Sequence, residues 1–281
     1  MQIKAGGHGW DVDLRAAPPP RRVAVLVHGL AGSRAEWEHV QPVFLKDTST
    51  ATLDLLGHGA SDAPDDPKAY TFDAVADALR DLADALGAQA PFWVGYSMGA
   101  RLLLYLAIRH PSRVGGLILE SAHAGLADAQ AREARAGQDR ADAQLLETRG
   151  LQPFFEQWHA RPVFDSQRRR TQAWRADVDR RLKTNKPKAL AQTLRGLGLG
   201  SMPPLHRRLG EIKAPTLLLA GTLDAPYMEE ARSIAKHIPG AEFKPVLNAG
   251  HAIHRENPEG YAEVVRDWLD TQYALNPARG L

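Results

Sequence analysis

Cysteine is absent from the 281 residues, so disulfides, thiolate metal sites and a cysteine nucleophile are excluded. Long apolar runs are missing as well. The longest stretch, Leu102 to Ile108, falls far short of the ~20 residues a membrane-spanning helix needs. The first residues, Met1 to His8, contain no apolar export segment, so the expected location is the cytoplasm, with no membrane partner. Nor is there an excess of either charge. Lys and Arg number 35 against 33 Asp and Glu, a formal net charge of +2 with no basic tail or arm, so nucleic acid is not an expected partner. No H-E-x-x-H or comparable ligand cluster occurs, and neither a metal nor a cofactor is expected.

What is present describes an ordinary globule, 44% hydrophobic and 24% charged. The length suits two domains, or one α/β domain carrying an insertion. Val23–Val27, Thr50–Leu53, Phe92–Val94, Val114–Leu119, Thr216–Ala220 and Phe243–Leu247 read as strands. The clearest of these lack period-2 alternation, as expected of parallel strands covered on both faces. Phe72–Leu86 shows a helical apolar stripe, and Met98–Arg109 and Tyr261–Tyr273 read as further helices. Pro18-Pro19-Pro20 reads as a turn or strand lead-in. The alternation predicts an α/β fold with a mostly parallel central sheet and helices on both faces.

From Ala124 to Pro204 the strands stop. Residues 124–200 hold 15 Lys and Arg against 9 Asp and Glu, a net charge of +6, which leaves the remainder at −4. The expected organisation is a core of residues 1–123 and 205–281 with a helical cap at 124–204. Much of that charge belongs to a solvated surface. The asymmetry nevertheless suits a lid that receives an anion.

Gly95-Tyr96-Ser97-Met98-Gly99 is G-x-S-x-G set between a predicted strand and a predicted helix. That context is the elbow that raises a serine nucleophile above a sheet. The order Ser, Asp, His then nominates Asp224, after the strand Thr216–Ala220, and His251, after Phe243–Leu247. Asp54 is a rival carboxylate but precedes Ser97 and reads better as part of a structural loop. His254 is a rival imidazole, expected beside the reacting groups or on the substrate side. Backbone amides of Met98 and of Leu30, in His28-Gly29-Leu30-Ala31-Gly32, are the candidate oxyanion donors. Arg101 stands one helical turn after Ser97 on the same face, where it should point back at the pocket.

Together these pieces resemble the α/β-hydrolase superfamily. Gly95 to Arg101, Leu119-Glu120-Ser121-Ala122, Trp158 ahead of Pro162 to Gln167, Leu190 to Gly196 and Ala249 to Pro258 resemble more closely the 2-succinyl-6-hydroxy-2,4-cyclohexadiene-1-carboxylate (SHCHC) synthases of menaquinone biosynthesis. The likeness implies a lyase that eliminates pyruvate from 2-succinyl-5-enolpyruvyl-6-hydroxy-3-cyclohexene-1-carboxylate, with Ser97, His251 and Asp224 abstracting a ring proton. Its substrate is a small polycarboxylate. Arg135 and Lys183 match family positions for basic contacts, with Tyr96 and Trp158 packing nearby. Lys183 stands where the family usually has Arg, which keeps the charge and loses the bidentate fork. A carboxylic-ester or carbon–carbon bond hydrolase on the same scaffold remains the alternative, and a non-catalytic binding protein a more distant one.

Overall fold

The computed structural model describes residues 1–18 and 22–277, so Pro19 and Pro20 of the triple-proline turn lie outside the described residues. Eight strands form one sheet: β1 (Gln2–Ala5), β2 (His8–Arg15), β3 (Arg22–Val27), β4 (Thr48–Leu53), β5 (Phe92–Tyr96), β6 (Gly116–Glu120), β7 (Thr216–Gly221) and β8 (Glu242–Val246). Their spatial order is β1-β2-β4-β3-β5-β6-β7-β8. β3 to β8 pair in parallel, whereas β2 joins β4, and β1 joins β2, antiparallel. This antiparallel hairpin is an addition to the sequence expectation. Gly6 and Gly7 make its turn, both with positive φ.

The continuous apolar runs resolve into two faces. Val25, Val27, Trp93, Leu117, Leu119 and Leu218 point to one side, against α1 (Phe72–Ala85), α2 (Met98–Arg109) and α8 (Ala225–His237). Ala24, Leu26, Phe92, Val94, Ile118, Leu217 and Leu219 point to the other, against Trp37, Phe44 and α10 (Pro258–Leu275). Alternation exists in the backbone and is invisible in composition, because both faces are apolar. Each fully buried Leu or Ile contributes about 1.5–3 kcal/mol. Thr71 caps α1 by accepting Ala74 N–H, and Asn257 caps α10 by accepting Gly260 N–H, with Pro258 in the first turn.

Between β6 and β7 the chain forms α3 (Ala129–Arg149), α4 (Leu151–His159), α5 (Asp165–Arg168), α6 (Thr171–Thr184) and α7 (Pro187–Leu197). These helices have an apolar cluster of their own, built on Ala143, Leu146, Phe154, Phe155, Leu190 and Leu194, which meets the rest of the chain at Ala31. The short helix α9 (Ile253–Glu256) follows β8. Among the described residues no helix is long and apolar enough to cross a membrane.

Two buried imidazoles cross-brace the loops after β3 and β4. His28 Nε2 accepts Leu55 N–H at 3.0 Å, and His58 Nε2 accepts Ala31 N–H at 3.2 Å. Each Nδ1 donates to a backbone carbonyl, His28 to Gly29 and His58 to Leu56. Only a neutral ring can donate from one nitrogen and accept at the other. Burial, reinforced by His28, holds His58 down at about 3. Burial also lowers His159 and His254 to about 3. All three values lie below the free value of about 6.5, so these rings take up protons only on unfolding. Their stabilisation is complete above about pH 6.5 and is lost as pH falls toward 3. The urea midpoint should therefore drop between pH 7 and pH 4, and His159→Phe should make that decline shallower. A midpoint flat across this range would contradict the assignment of neutral buried rings.

Candidate active site

Ser97 joins β5 to α2 with φ 52° and ψ −107°, a left-handed backbone that costs a non-glycine residue about 1–3 kcal/mol. The turn holds because its flanks lack side chains. A Cβ on Gly95 would meet Ala100 N at 2.7 Å, and one on Gly99 would meet the Val27 carbonyl oxygen at 2.3 Å. The serine is thereby lifted over the C-terminal edge of the sheet. There Ser97 Oγ lies 3.0 Å from His251 Nε2, and His251 Nδ1 lies 2.8 Å from Asp224 Oδ2. Asp224 follows β7 and His251 lies in the loop after β8, both buried. With Nδ1–H donating to Asp224, the Nε2 lone pair faces the serine hydroxyl and can take its proton.

Met98 opens α2, so its N–H has no partner inside the helix and stays available to a developing oxyanion. The loop after β3 runs against the serine: a Cβ on Gly29 would lie 3.5 Å from Ser97 Cβ. Leu30, next in that loop, lines the same cavity as Ser97 and His251.

That cavity measures about 370 Å3. Its apolar wall comes from Tyr96, Trp158, Phe164, Leu199 and Tyr227, and its cations are Arg101, Arg135, Arg161 and Arg181. A larger groove of about 450 Å3 between β8 and α10 holds none of the candidate residues, so volume alone does not mark the site. Lys183 is exposed on α6 and does not line the cavity; Arg181 lines it instead. Two residues along a helix amount to a turn of about 200°, which puts these side chains on opposite faces. Sequence reasoning passed over Arg161, Arg181, Phe164 and Tyr227. For Arg181 a signal existed in Asp177 four residues earlier, an i,i+4 pair that is buried here.

Three of the four arginines are each held by a buried aspartate. Arg135 Nε lies 2.8 Å from Asp139, Arg161 Nη2 lies 2.6 Å from Asp142, and Arg181 Nε lies 3.0 Å from Asp177. Burial would raise the Asp177 carboxyl, but Arg181 and Arg255 outweigh it and hold the value at about 2. Arg181 also approaches Glu36 at 3.6 Å and lies over the Trp158 ring. Arg101 differs. Its side chain is buried, it donates to the Leu197 carbonyl at 3.1 Å, and among the described residues it forms no ion pair. Burial lowers it to about 10, which leaves it charged at neutral pH.

Asp54 serves its loop, accepting Arg34 N–H at 2.7 Å and Ala60 N–H at 2.9 Å. His254 is fully buried against Glu120 and does not line that cavity.

The alpha/beta hydrolase fold family matches residues 23–258. The putative SHCHC synthase of Bacillus subtilis is 34% identical over 253 residues, covering 90% of this chain and 92% of that protein. The SHCHC synthase of Shigella flexneri is 34% identical over 241 residues, covering 84% of this chain and 89% of that protein. The solved structure of MenH from S. aureus superposes with a TM-score of 0.88 at 30% identity, covering 93% of this chain and 98% of that one. On its sheet, its elbow and these relatives, the chain belongs to the α/β-hydrolase superfamily and, within it, to the SHCHC synthase family.

Proposed function

We propose that this chain is a lyase that eliminates pyruvate from 2-succinyl-5-enolpyruvyl-6-hydroxy-3-cyclohexene-1-carboxylate, giving SHCHC for menaquinone synthesis in the cytoplasm. Arg101 carries the reading: a buried guanidinium that, among the described residues, has no carboxylate partner lines the cavity of the Ser97–His251 pair. Burying an uncompensated charge is costly, so such a group calls for an anion from outside. An esterase handling neutral acyl chains has no use for it.

In this reading residues 124–204 form a cap over a core of residues 1–123 and 205–281. Ser97, with its proton drawn toward His251 and Asp224, removes the ring hydrogen next to the succinyl ketone. The electron pair becomes an enolate whose oxygen is held by the Leu30 and Met98 amides. Reformation of the ketone shifts the ring double bond and breaks the carbon–oxygen bond to the enolpyruvyl group. His251 then returns the proton, and the departing enol becomes pyruvate. Arg101 and Arg135 bind substrate carboxylates, while Tyr96 and Trp158 pack against the ring. No acyl-enzyme forms.

Supplying the enolpyruvyl substrate should release pyruvate, and Ser97→Ala should lower turnover by about 10³-fold or more. An aryl ester run in parallel tests the hydrolase alternative: fast ester cleavage without pyruvate would overturn the lyase reading. Arg101→Met should separate binding from stability. Removing the unpaired buried charge should raise folding stability by about 1 kcal/mol or more. Loss of a carboxylate contact should raise KM roughly 10- to 100-fold. A variant less stable than wild type and unchanged in KM would dismiss Arg101 as the anion receptor.

A further inference from the structure

A second ionisable pair, Glu120 and His254, is fully buried behind the reacting groups. Glu120 ends β6, and its main-chain carbonyl accepts the N–H of Ser97 at 2.9 Å. Its carboxyl accepts the His254 backbone N–H at 3.2 Å and lies 2.9 Å from His254 Nδ1 through either oxygen. The Ile253 backbone N–H also donates to it. The next residue, Ser121, donates its hydroxyl to the carbonyl of His251 at 2.8 Å. Ser121 adopts φ 50°, a conformation uncommon for serine that occurs here where its hydroxyl meets the histidine loop. Two consecutive residues thus hold the main chain of Ser97 on one side and the His251 loop on the other.

The arrangement answers a geometric demand. Ser97 and His251 are 154 residues apart in sequence, and β5 and β8 are separated in the sheet by β6 and β7. No direct strand pairing sets their 3.0 Å contact. The end of β6 lies beside β5 and touches the loop after β8. Tyr96 completes the link, its ring centroid 5.5 Å from that of His251 and 5.0 Å from that of His254.

We propose that Glu120 and Ser121 are positioning residues that set the Ser97–His251 separation by clamping both to the end of β6. The inference rests on Ser97 and His251 being the reacting pair. Burial disfavours a charge on either group, raising Glu120 and lowering His254. Hydrogen bonds, not charge, then do the holding. A glutamine can reproduce them, with its oxygen accepting the backbone N–H and its amide donating to Nδ1.

The test compares Glu120→Ala, Glu120→Gln and Ser121→Ala with wild type by steady-state pyruvate release and by the rate at which a fluorophosphonate modifies Ser97. Glu120→Ala and Ser121→Ala should lower kcat by about 10- to 100-fold, the scale of a misplaced reacting group, with KM within about twofold. Phosphonylation should slow in step. Glu120→Gln should restore both rates to within about threefold of wild type. Ser121→Ala removes one hydroxyl and decides the matter if Glu120→Ala does not fold. A folded Ser121→Ala with unchanged kcat and phosphonylation overturns the proposal, as does Glu120→Gln as impaired as Glu120→Ala. Wild-type protein that neither releases pyruvate nor takes up the phosphonate overturns the assignment of Ser97 and His251, and the clamp with it.

Discussion

The site depends on how closely the start of α2 can approach the sheet. A single added methyl at Gly99 would sit 2.3 Å from the carbonyl oxygen of Val27, inside any tolerable contact. The helix can therefore spring from β5 without an intervening loop. That forces Ser97 into its positive φ and leaves the hydroxyl and the Met98 amide at the edge where β7 and β8 deliver Asp224 and His251. The strain at Ser97 is maintained by packing on both sides and stays small beside what the two apolar faces of the sheet contribute.

The cavity's electrostatics are subtler than a count of charges suggests. Its +6 segment contributes three cavity arginines, each tied to a buried aspartate from the same helical segment. Those pairs fix guanidinium orientation and cancel much of the field. Arg101, contributed by helix α2, has no such partner among the described residues, so its charge is not matched by a carboxylate there. Orientation and net attraction are thus supplied by different residues, and that division is consistent with a substrate bearing several carboxylates.

Much of this was legible in the sequence, for identifiable reasons. The strands at Val23, Phe92 and Thr216 were plain because burial on both faces leaves an unbroken apolar run. Ser97 was plain because a steric requirement writes glycine on both sides of it. β1 and β2 were not, since a half-exposed antiparallel hairpin mixes polar and apolar residues over short stretches. Lys183 matches a family position for a basic contact, whereas the phase of α6 puts Arg181 at the cavity. Among fifteen basic residues only the helical phase separates a lining side chain from a solvated one. The ties from Glu120 and Ser121 to the histidine loop span more than a hundred residues, and no local pattern encodes them.

The helices α3 to α7 leave the sheet after β6 and return to it at β7, two strands that lie side by side, and they carry an apolar nucleus of their own. On the proposed reading, splicing a foreign segment between those two strand ends would alter selectivity while leaving Ser97, Asp224 and His251 in place. The scaffold is therefore a natural chassis for retargeting: chemistry is inherited from the lower storey, and molecular taste is chosen by whatever is built above it.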